Sequence, residues 1–251
     1  MPQSGMIPFA PPLLAALRSA RMIAVLTGAG VSAESGVPTF RDAQTGLWAR
    51  FDPRELATPE AFARNPKLVW DWYAERRAKV AAVKPNPAHY ALAALETHAP
   101  QFLLATQNVD GLHQRAGSAN VVELHGSITR VKCSREGSLV EHWNDAANDE
   151  PPRCPSCGAY LRPDVVWFNE LLPHAAQTAA DSAARRCDVL LVAGTSAEVY
   201  PAAALPEVAL RRGACVVEVN PNETQLSADV AYALRGPAGV VLPALVAAAW
   251  P

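Results

Sequence analysis

Five short apolar runs, rich in β-branched residues, each end directly in a polar or glycine-containing turn. A parallel sheet that is covered by helices on both faces requires strands of this near-continuous apolar kind. In such a sheet, ligands bind beyond the carboxyl ends of the strands, which is where these turns fall. We therefore expect a doubly wound parallel α/β sheet with its functional site at the turns. The runs are MIAVL (22–26), FLLAT (102–106), VVEL (121–124), VLLVA (189–193) and CVVEV (215–219).

The stretches between the runs are expected to be helices. Asn86 followed by Pro87 predicts a helix start, with an N-cap and a proline at the first helical position. Residues 201–212 and 243–250 also begin with proline and are predicted to be helical. Alternation of strands and helices along the chain is typical of a doubly wound fold.

Two segments interrupt this alternation. Residues 40–85 carry the aromatic-rich stretch WDWYAERR, and residues 130–165 hold three of the five cysteines. We interpret both as insertions that form a smaller lobe on one large domain, which suits a chain of 251 residues. The predicted larger lobe comprises about residues 13–40, 86–129 and 171–246, and the smaller lobe about residues 41–85 and 130–165.

Composition narrows the class of protein. Lys and Arg total 22 against 24 Asp and Glu, so the net charge is 22 − 24 = −2, which gives no general attraction to nucleic acid or to acidic membranes. No run approaches the ~20 apolar residues of a membrane span, and the amino terminus lacks a secretory pattern. Five cysteines at these spacings do not indicate a disulfide framework. We expect a cytoplasmic, monomeric protein.

A glycine-rich turn follows the first run. Residues 28–33, GAGVSA, fit the pattern G-x-G-x-x-A, in which glycines let the backbone approach a pyrophosphate. The alternative is a tight strand-to-helix turn with no ligand. A dehydrogenase would also need an acidic residue at a second strand about 20 residues on. The sequence there is a proline- and glycine-broken loop, which argues against hydride transfer.

The longer run GAGVSAESGVPTFR (28–41), followed by TQNVDGLHQRAGS (106–118) and ELHGS (123–127), resembles the sirtuins, a family of NAD-dependent protein lysine deacylases. The resemblance covers about residues 13–245 and implies a Rossmann-like sirtuin fold with a smaller inserted lobe. It continues in family order through LRPDVVWFNE (161–170), GTSAEVYPAA (194–203), EVNPNET (218–224) and LRGPAG (234–239).

The resemblance implies that NAD is a co-substrate. The acyl oxygen of an acyl-lysine protein attacks the nicotinamide ribose, nicotinamide leaves, and a ribose hydroxyl activated by a base takes the acyl group. The products are free lysine and an O-acyl-ADP-ribose. His125 is the expected base, since an imidazole titrates in the useful range, and His113 is the rival. Asn108 and Asp110 complete the expected catalytic set, although both residue types are also common loop caps.

The remaining NAD contacts are also implied by the resemblance. Phe40 would screen the reactive ribose and Arg41 would reach a phosphate, and Asp42 follows them where many relatives have glycine. The expected NAD-binding residues are Gly28, Ala29, Gly30, Ser32, Phe40, Arg41, Gln107, Asn108, Val109, Asp110, Gly194, Thr195, Ser196, Asn220 and Ala238.

The family's substrate peptide pairs with the main chain of a segment that corresponds to residues 161–170. Val165, Val166, Trp167 and Phe168 would line that groove by β-augmentation. A buried core strand explains the same apolar residues equally well. Asn169 stands where sirtuins usually have glycine.

Tyr73 and Arg76 are three residues apart in a predicted helix, so they share a face. A phenol and a guanidinium together suit a carboxylate, and the pair matches the sirtuin subclass that acts on succinyl-, malonyl- and glutaryl-lysine. Ala57 matches the small residue that gives this subclass room for a longer acyl chain. The alternatives are a solvated helix face, or Arg77 in the role if the register is off by one. We expect desuccinylase and demalonylase activity with some deacetylase activity.

Cys154 and Cys157 form a C-x2-C pair, and Cys133 lies upstream at the spacing of a structural zinc site. Glu136 occupies the fourth position. Three alternatives stay open: Glu136 ligates zinc through oxygen, His142 substitutes for it, or the lobe holds no metal.

Three other functions remain alternatives to desuccinylase and demalonylase activity. The protein would be mainly a deacetylase, or an ADP-ribosyltransferase that modifies proteins with the same NAD, or a module that binds NAD or acyl peptides without turnover.

Overall fold

The computed structural model describes residues 8–38, 52, 56–143 and 150–251. Six strands form one parallel sheet in the order β3-β2-β1-β7-β8-β9, and three form an antiparallel sheet in the order β5-β4-β6. The expected doubly wound parallel sheet is therefore confirmed. The strands are β1 Met22–Thr27, β2 Gln101–Thr106, β3 Val121–Glu123, β4 Gly126–Cys133, β5 Leu139–Val140, β6 Leu161–Val165, β7 Val189–Ala193, β8 Cys215–Asn220 and β9 Tyr232–Arg235.

Helices cover both faces of the large sheet. Helices α1, α5 and α9 share one buried apolar cluster with one face of the sheet, and α7 and α8 share a second cluster with the other. In the described ranges no helix is both long and apolar enough to cross a membrane. The helices are α1 Pro11–Ser19, α2 Gly30–Ala33, α3 Pro59–Arg64, α4 Pro66–Ala82, α5 Pro87–His98, α6 Leu112–Arg115, α7 His174–Arg186, α8 Ala204–Arg211 and α9 Ala238–Ala249, with a 3-10 turn at Gln225–Ala228.

The order of the strands reverses between β1 and β7. The chain moves outward from β1 to β3 on one side and from β7 to β9 on the other. This is the switch point at which open parallel sheets bind ligands, because the loops after two adjacent strands diverge there and leave a crevice.

The antiparallel sheet packs on helices α3 and α4. Their common core contains Phe62, Trp72, Tyr73, Ile128 and Trp167. Strand β4 begins directly after His125 and runs across the predicted boundary between residues 129 and 130. The chain therefore passes from the large sheet to the small one at the predicted catalytic histidine.

The predicted start of α5 is confirmed, since Asn86 caps the helix and Pro87 is its first residue. The two other predicted starts are wrong. Helix α8 begins at Ala204 rather than 201, and its first-turn proline is Pro206. Helix α9 begins at 238 after a proline N-cap, and Pro243 lies inside it, where it removes one helical hydrogen bond. Each helix start has a second proline nearby, Pro206 in the first turn of α8 and Pro237 at the N-cap of α9. Proline is accommodated at these positions too, so the sequence pattern did not show which proline marks the start.

Candidate active site

A cleft of about 890 Å³ opens at the carboxyl ends of β1, β2, β7 and β8, beside helix α4. All of the described residues that the sequence predicts to bind NAD, acyl group or peptide line this cleft. Phe40, Arg41 and Asp42 lie outside the described residues. The predicted residues in the lining are Gly28, Ala29, Gly30, Ser32, Ala57, Tyr73, Arg76, Gln107, Asn108, Val109, Asp110, His125, Val165, Val166, Trp167, Phe168, Gly194, Thr195, Ser196, Asn220 and Ala238.

Glycines let the loops after β1 and β7 touch. The N–H of Gly28 donates to Ala193 O at 3.0 Å, and the N–H of Gly30 donates to Gly194 O at 2.8 Å. A Cβ on Gly30 would lie 2.8 Å from the Cα of Gly194, which itself has a φ of +59°. The glycines therefore serve the tight strand-to-helix turn and also bring two loops together at the switch point.

Ser32 is the centre of a buried hydrogen-bond network. Its hydroxyl donates to Asp110 Oδ2 at 2.7 Å and accepts from Asn108 Nδ2 at 3.1 Å. His89 Nε2 lies 3.3 Å from the same hydroxyl, and its Nδ1 accepts from the N–H of Asn86 at 3.2 Å. Sequence reasoning missed His89, whose signal was its position three residues after the N-cap of α5.

This network restrains Asn108 and Asp110, the two polar side chains that the sequence predicts to act in catalysis and NAD binding. Asn108 and Asp110 are both buried, and Asp110 Oδ1 also accepts from the N–H of Leu112 at 2.9 Å. The loop-capping interpretation is therefore correct for one oxygen of Asp110. The other oxygen is bonded to Ser32, a residue of the glycine-rich turn, so capping alone does not account for the side chain.

His113 is a structural residue and not a rival base. It is 1% exposed and does not line the cleft. Its Nε2 lies 3.0 Å from the hydroxyl of Thr27. Burial, together with repulsion from His89, lowers the pKa of His113 to about 3, so the ring is neutral near pH 7.

His125 lines the cleft at the junction between the two sheets. Its Nδ1 lies 3.0 Å from the carbonyl oxygen of Gln107. A carbonyl only accepts, so in the neutral ring Nδ1 carries the hydrogen and Nε2 is the free base. Burial lowers the pKa of His125, and the bond to Gln107 opposes that shift. Gly126 follows with a φ of +76°, against the backbone of Asp164, which explains why glycine comes after this histidine.

Thr195 joins polar side chains from two other strand ends. Its hydroxyl accepts from Gln107 Nε2 at 3.0 Å, and its carbonyl accepts from Asn220 Nδ2 at 3.0 Å. The loops after β2, β7 and β8 are thereby linked along one wall of the cleft.

Tyr73 and Arg76 lie in the cleft on helix α4. The phenol oxygen of Tyr73 accepts from Trp167 Nε1 at 3.0 Å. Burial raises the pKa of Tyr73 despite the nearby charge of Arg76, so the phenol stays protonated. The Arg76 guanidinium lies 4.9 Å above the Trp72 ring, and no described residue forms a hydrogen bond or ion pair with it.

Arg77 points away from the cleft. Its Nε donates to Ile128 O at 3.0 Å, and its guanidinium lies over the rings of Trp70 and Trp143. The helix register therefore places Arg76, and not Arg77, beside Tyr73 in the cleft.

The segment after β6 alternates between core and cleft. Val165 and Trp167 are buried, whereas Phe168 is 39% exposed. The N–H groups of Val166 and Phe168 donate to His125 O at 3.0 Å and Ala57 O at 2.9 Å. Main-chain pairing of a peptide with Val166 or Phe168 would therefore have to use their carbonyl oxygens. The interpretation as a buried core strand fits Val165 and Trp167, and the interpretation as a peptide groove fits the exposed Phe168.

Asn169 has a φ of +69°, in the left-handed region. Glycine is favoured there because it has no Cβ, and asparagine is among the few other residues that adopt it readily. The exchange of glycine for asparagine is thus compatible with the bend at the end of this segment.

The predicted metal residues form one cluster in the small sheet. The ligand atoms of Cys133, Glu136, Cys154 and Cys157 all lie within 4.8 Å of one another. Four ligands of a tetrahedral zinc ion with Zn–S bonds near 2.3 Å are about 3.8 Å apart, so this donor set fits zinc. His142 does not belong to the cluster, so of the two candidate fourth ligands only Glu136 lies beside the three cysteines.

Comparison with known proteins assigns the family. A model of the Sir2 family matches residues 28–201. The NAD-dependent protein deacylase of Methylococcus capsulatus is 53% identical over 247 residues, which cover 96% of this chain and 97% of that protein. The NAD-dependent protein deacylase of Ralstonia nicotianae is 55% identical over 231 residues, with coverage of 92% and 93%. The chain belongs to the Sir2 family.

Solved structures agree with this assignment. A Sir2 homologue in complex with NAD is 47% identical with a TM-score of 0.91, covering 96% of this chain and 94% of that one. A mutant Sir2 homologue with 2′-O-acetyl ADP ribose is 48% identical with a TM-score of 0.89, covering 96% of each chain. A Sir2 protein bound to an acetylated peptide is 32% identical with a TM-score of 0.83, covering 92% and 94%.

Proposed function

We propose that the protein is an NAD-dependent protein lysine deacylase that acts on acidic acyl groups, succinyl and malonyl, and also on acetyl groups. The observation that carries this proposal is that His125, the two touching glycine loops and the Tyr73–Arg76 pair line a single cleft. A base, an NAD site and a carboxylate receptor in one cavity are what the reaction needs.

The cleft walls suit NAD as the co-substrate. The touching loops at Gly28, Gly30 and Gly194 would hold the pyrophosphate at the switch point, where parallel sheets bind dinucleotides. Asn220 and Thr195 lie at the carboxyl ends of β8 and β7 and would meet the adenosine ribose. The Ser32 network would orient Asn108 and Asp110 toward the nicotinamide and its ribose, because their polar atoms are already held in fixed positions.

His125 would act as the general base. Its Nε2 would take the proton of a ribose hydroxyl, whose oxygen would bond to the acyl carbon as the lysine nitrogen leaves with a proton. Water would then add to that carbon as its bond to the oxygen on the anomeric carbon breaks, so the acyl group stays on the hydroxyl oxygen and the anomeric carbon keeps a hydroxyl. The bond from Nδ1 to Gln107 holds the required tautomer and stabilises the charge that forms on the ring. The relative with bound 2′-O-acetyl ADP ribose supports this acyl acceptor.

The acyl end of the cleft would select a carboxylate. Arg76 has no anionic partner among the described residues, and Tyr73 is a phenol whose hydrogen finds no acceptor there. A succinyl or malonyl carboxylate would accept from both groups. Ala57 is small and lines the same cleft, which leaves space for the additional carbons.

A zinc ion held by Cys133, Glu136, Cys154 and Cys157 would have a structural role. It would link the turn after β4 to the turn before β6 and so stabilise the small sheet, which carries Trp167 at its end.

One assay tests the proposed function. The protein is incubated with NAD and acetyl-, succinyl-, malonyl- or glutaryl-lysine peptides, and nicotinamide and acyl-ADP-ribose are measured by mass spectrometry. We expect both products only when an acyl peptide is present, with higher kcat/KM for the succinyl and malonyl peptides. ADP-ribose attached to protein would indicate ADP-ribosyl transfer, and binding without nicotinamide release would indicate a module without turnover. Either result would contradict the proposal.

A further inference from the structure

Trp167 lines the cleft, but its side chain is 2% exposed and is hydrogen-bonded to helix α4. Its indole Nε1 lies 3.0 Å from the phenol oxygen of Tyr73. Indole is only a donor, so it occupies a lone pair of the phenol oxygen and cannot accept the phenol's hydrogen. The Tyr73 O–H group must therefore find its acceptor elsewhere.

The described surroundings of Tyr73 offer no such acceptor. Trp167 is its only hydrogen-bond partner among the described residues. Of the charged groups that act on the phenol, Arg76 and Arg162 have no acceptor atom, and the carboxylate of Glu170 is bonded to Arg162 and to the Trp167 N–H. Trp72 packs edge-on against the phenol with 4.6 Å between ring centroids. The phenol hydrogen is thus left available to a ligand in the cleft.

The position of the Trp167 indole is fixed by Arg162 and Glu170. The guanidinium of Arg162 lies 3.3 Å from the centroid of the Trp167 ring. Arg162 is fixed by two bonds to Glu170, at 2.6 and 2.8 Å, and by a bond to Val165 O at 2.9 Å. Glu170 Oε2 also accepts from the backbone N–H of Trp167 at 2.8 Å. A cation on the ring face attracts the π electrons, which strengthens the ring N–H as a donor.

We propose that Trp167 is a positioning residue for acyl selectivity: its Nε1–H forces the Tyr73 hydroxyl to donate toward the cleft, where it meets the carboxylate of an acidic acyl group. The inference rests on the proposed acyl preference. It assigns selectivity to a third residue, two positions after the end of β6, in addition to Tyr73 and Arg76 on helix α4. An acetyl group has no carboxylate and so gains nothing from this arrangement.

The test replaces one functional group. Trp167 is exchanged for 3-benzothienylalanine, in which sulfur takes the place of the ring N–H and the ring shape is kept. We expect kcat/KM for a succinyl-lysine peptide to fall roughly 3- to 12-fold, the loss of one hydrogen bond, mainly through KM. The value for an acetyl-lysine peptide should fall by less, because an acetyl group has no carboxylate to accept the phenol hydrogen, so the succinyl-to-acetyl ratio of kcat/KM should fall. The same exchange at Trp70, which is buried in the cysteine-containing cluster away from the cleft, is the matched control.

A double-substitution cycle separates positioning from packing. In a Tyr73→Phe background there is no hydroxyl to orient, so the exchange at 167 should no longer change the succinyl-to-acetyl ratio. Equal losses on both substrates, or an undiminished effect in the Tyr73→Phe background, would overturn the role of Trp167. A wild-type enzyme without preference for succinyl over acetyl would overturn the proposed acyl specificity as well. A wild-type preference that survives the exchange would overturn only the role of Trp167.

Discussion

The imidazole of His125 and the main-chain carbonyl of Gln107 are joined by a 3.0 Å contact between Nδ1 and the carbonyl oxygen. This contact leaves Nε2 as the basic atom of the neutral ring. It also connects His125, the proposed base, to the loop after β2, whose next residues, Asn108 to Asp110, line the cleft. The proposed base and part of the proposed NAD site are therefore joined through one short segment.

The pH dependence of catalysis should follow from the burial of His125. Burial lowers its pKa, so the free base is present throughout the neutral range and is lost only when the pH falls below about 6.5, the ordinary imidazole value. We expect the acid limb of kcat/KM for deacylation to have its midpoint below that pH.

His125→Ala should lower kcat by about 10²- to 10⁴-fold while NAD still binds in a calorimetric titration. An acid limb above pH 6.5, or full turnover by the variant, would exclude this base.

Arg76→Met should reduce acyl selectivity. Loss of a charge-assisted contact to the acyl carboxylate costs roughly 1.5–3 kcal/mol, so the succinyl-to-acetyl ratio of kcat/KM should fall about 10- to 150-fold. Arg77→Met is the matched control, because Arg77 does not line the cleft and its Nε donates to Ile128 O. An unchanged ratio in Arg76→Met, or an equal fall in both variants, would refute the carboxylate receptor.

Ser32→Ala should destabilise the protein by about 1–3 kcal/mol, because it leaves Asp110 and Asn108 each without one buried partner. The hydroxyl of Ser118 is also buried, but no hydrogen-bond partner is found for it in the part of the chain that the structure describes. Ser118→Ala should therefore be neutral or slightly stabilising. Urea unfolding monitored by circular dichroism measures both. Equal destabilisation by the two substitutions would mean that the Ser32 network contributes nothing specific.

Folding stability should fall in acid because of His113. Its pKa is about 3 in the folded protein and about 6.5 in the unfolded chain, so between these values only the unfolded chain binds the proton. This contribution is complete above pH 6.5. It is lost at about 1.4 kcal/mol per pH unit as the pH falls toward 3. His113→Asn should flatten the dependence of the unfolding free energy on pH between 6 and 4. An unaltered slope in His113→Asn would contradict the assignment.

Metal content should depend on the cysteine cluster. Protein purified without added zinc should contain close to one zinc per chain by plasma mass spectrometry, and Cys154→Ser should remove most of it. Glu136→Cys should retain zinc more strongly against a chelator, because thiolate is a softer ligand than carboxylate. His142→Ala should leave the content unchanged. A ratio of zinc to protein near zero in the unsubstituted protein would contradict the proposed zinc site.

Much of the fold could be predicted from local patterns. The apolar runs predicted the five strands from β1 to β8 that belong to the large sheet, because strands buried on both faces need apolar residues at successive positions. The sequence patterns did not predict β9, in which half-buried and exposed residues alternate. The separate prolines near α8 and α9 led to two wrong helix starts. Both failures arise where a local pattern fits more than one structure.

By itself, the sequence determined which glycine and polar residues lie together at the ligand-binding edge of the large sheet. Gly28, Gln107, Gly194 and Asn220 lie at or just after the ends of parallel strands, and such ends share one edge of the sheet. Only the tertiary structure decided which histidine faces the cleft, that Arg76 rather than Arg77 accompanies Tyr73, and that Trp167 turns inward to bond the phenol. The last two outcomes depend on how helix α4 packs against the small sheet and the segment after it. That packing brings together residues up to 94 positions apart, and no local pattern encodes it.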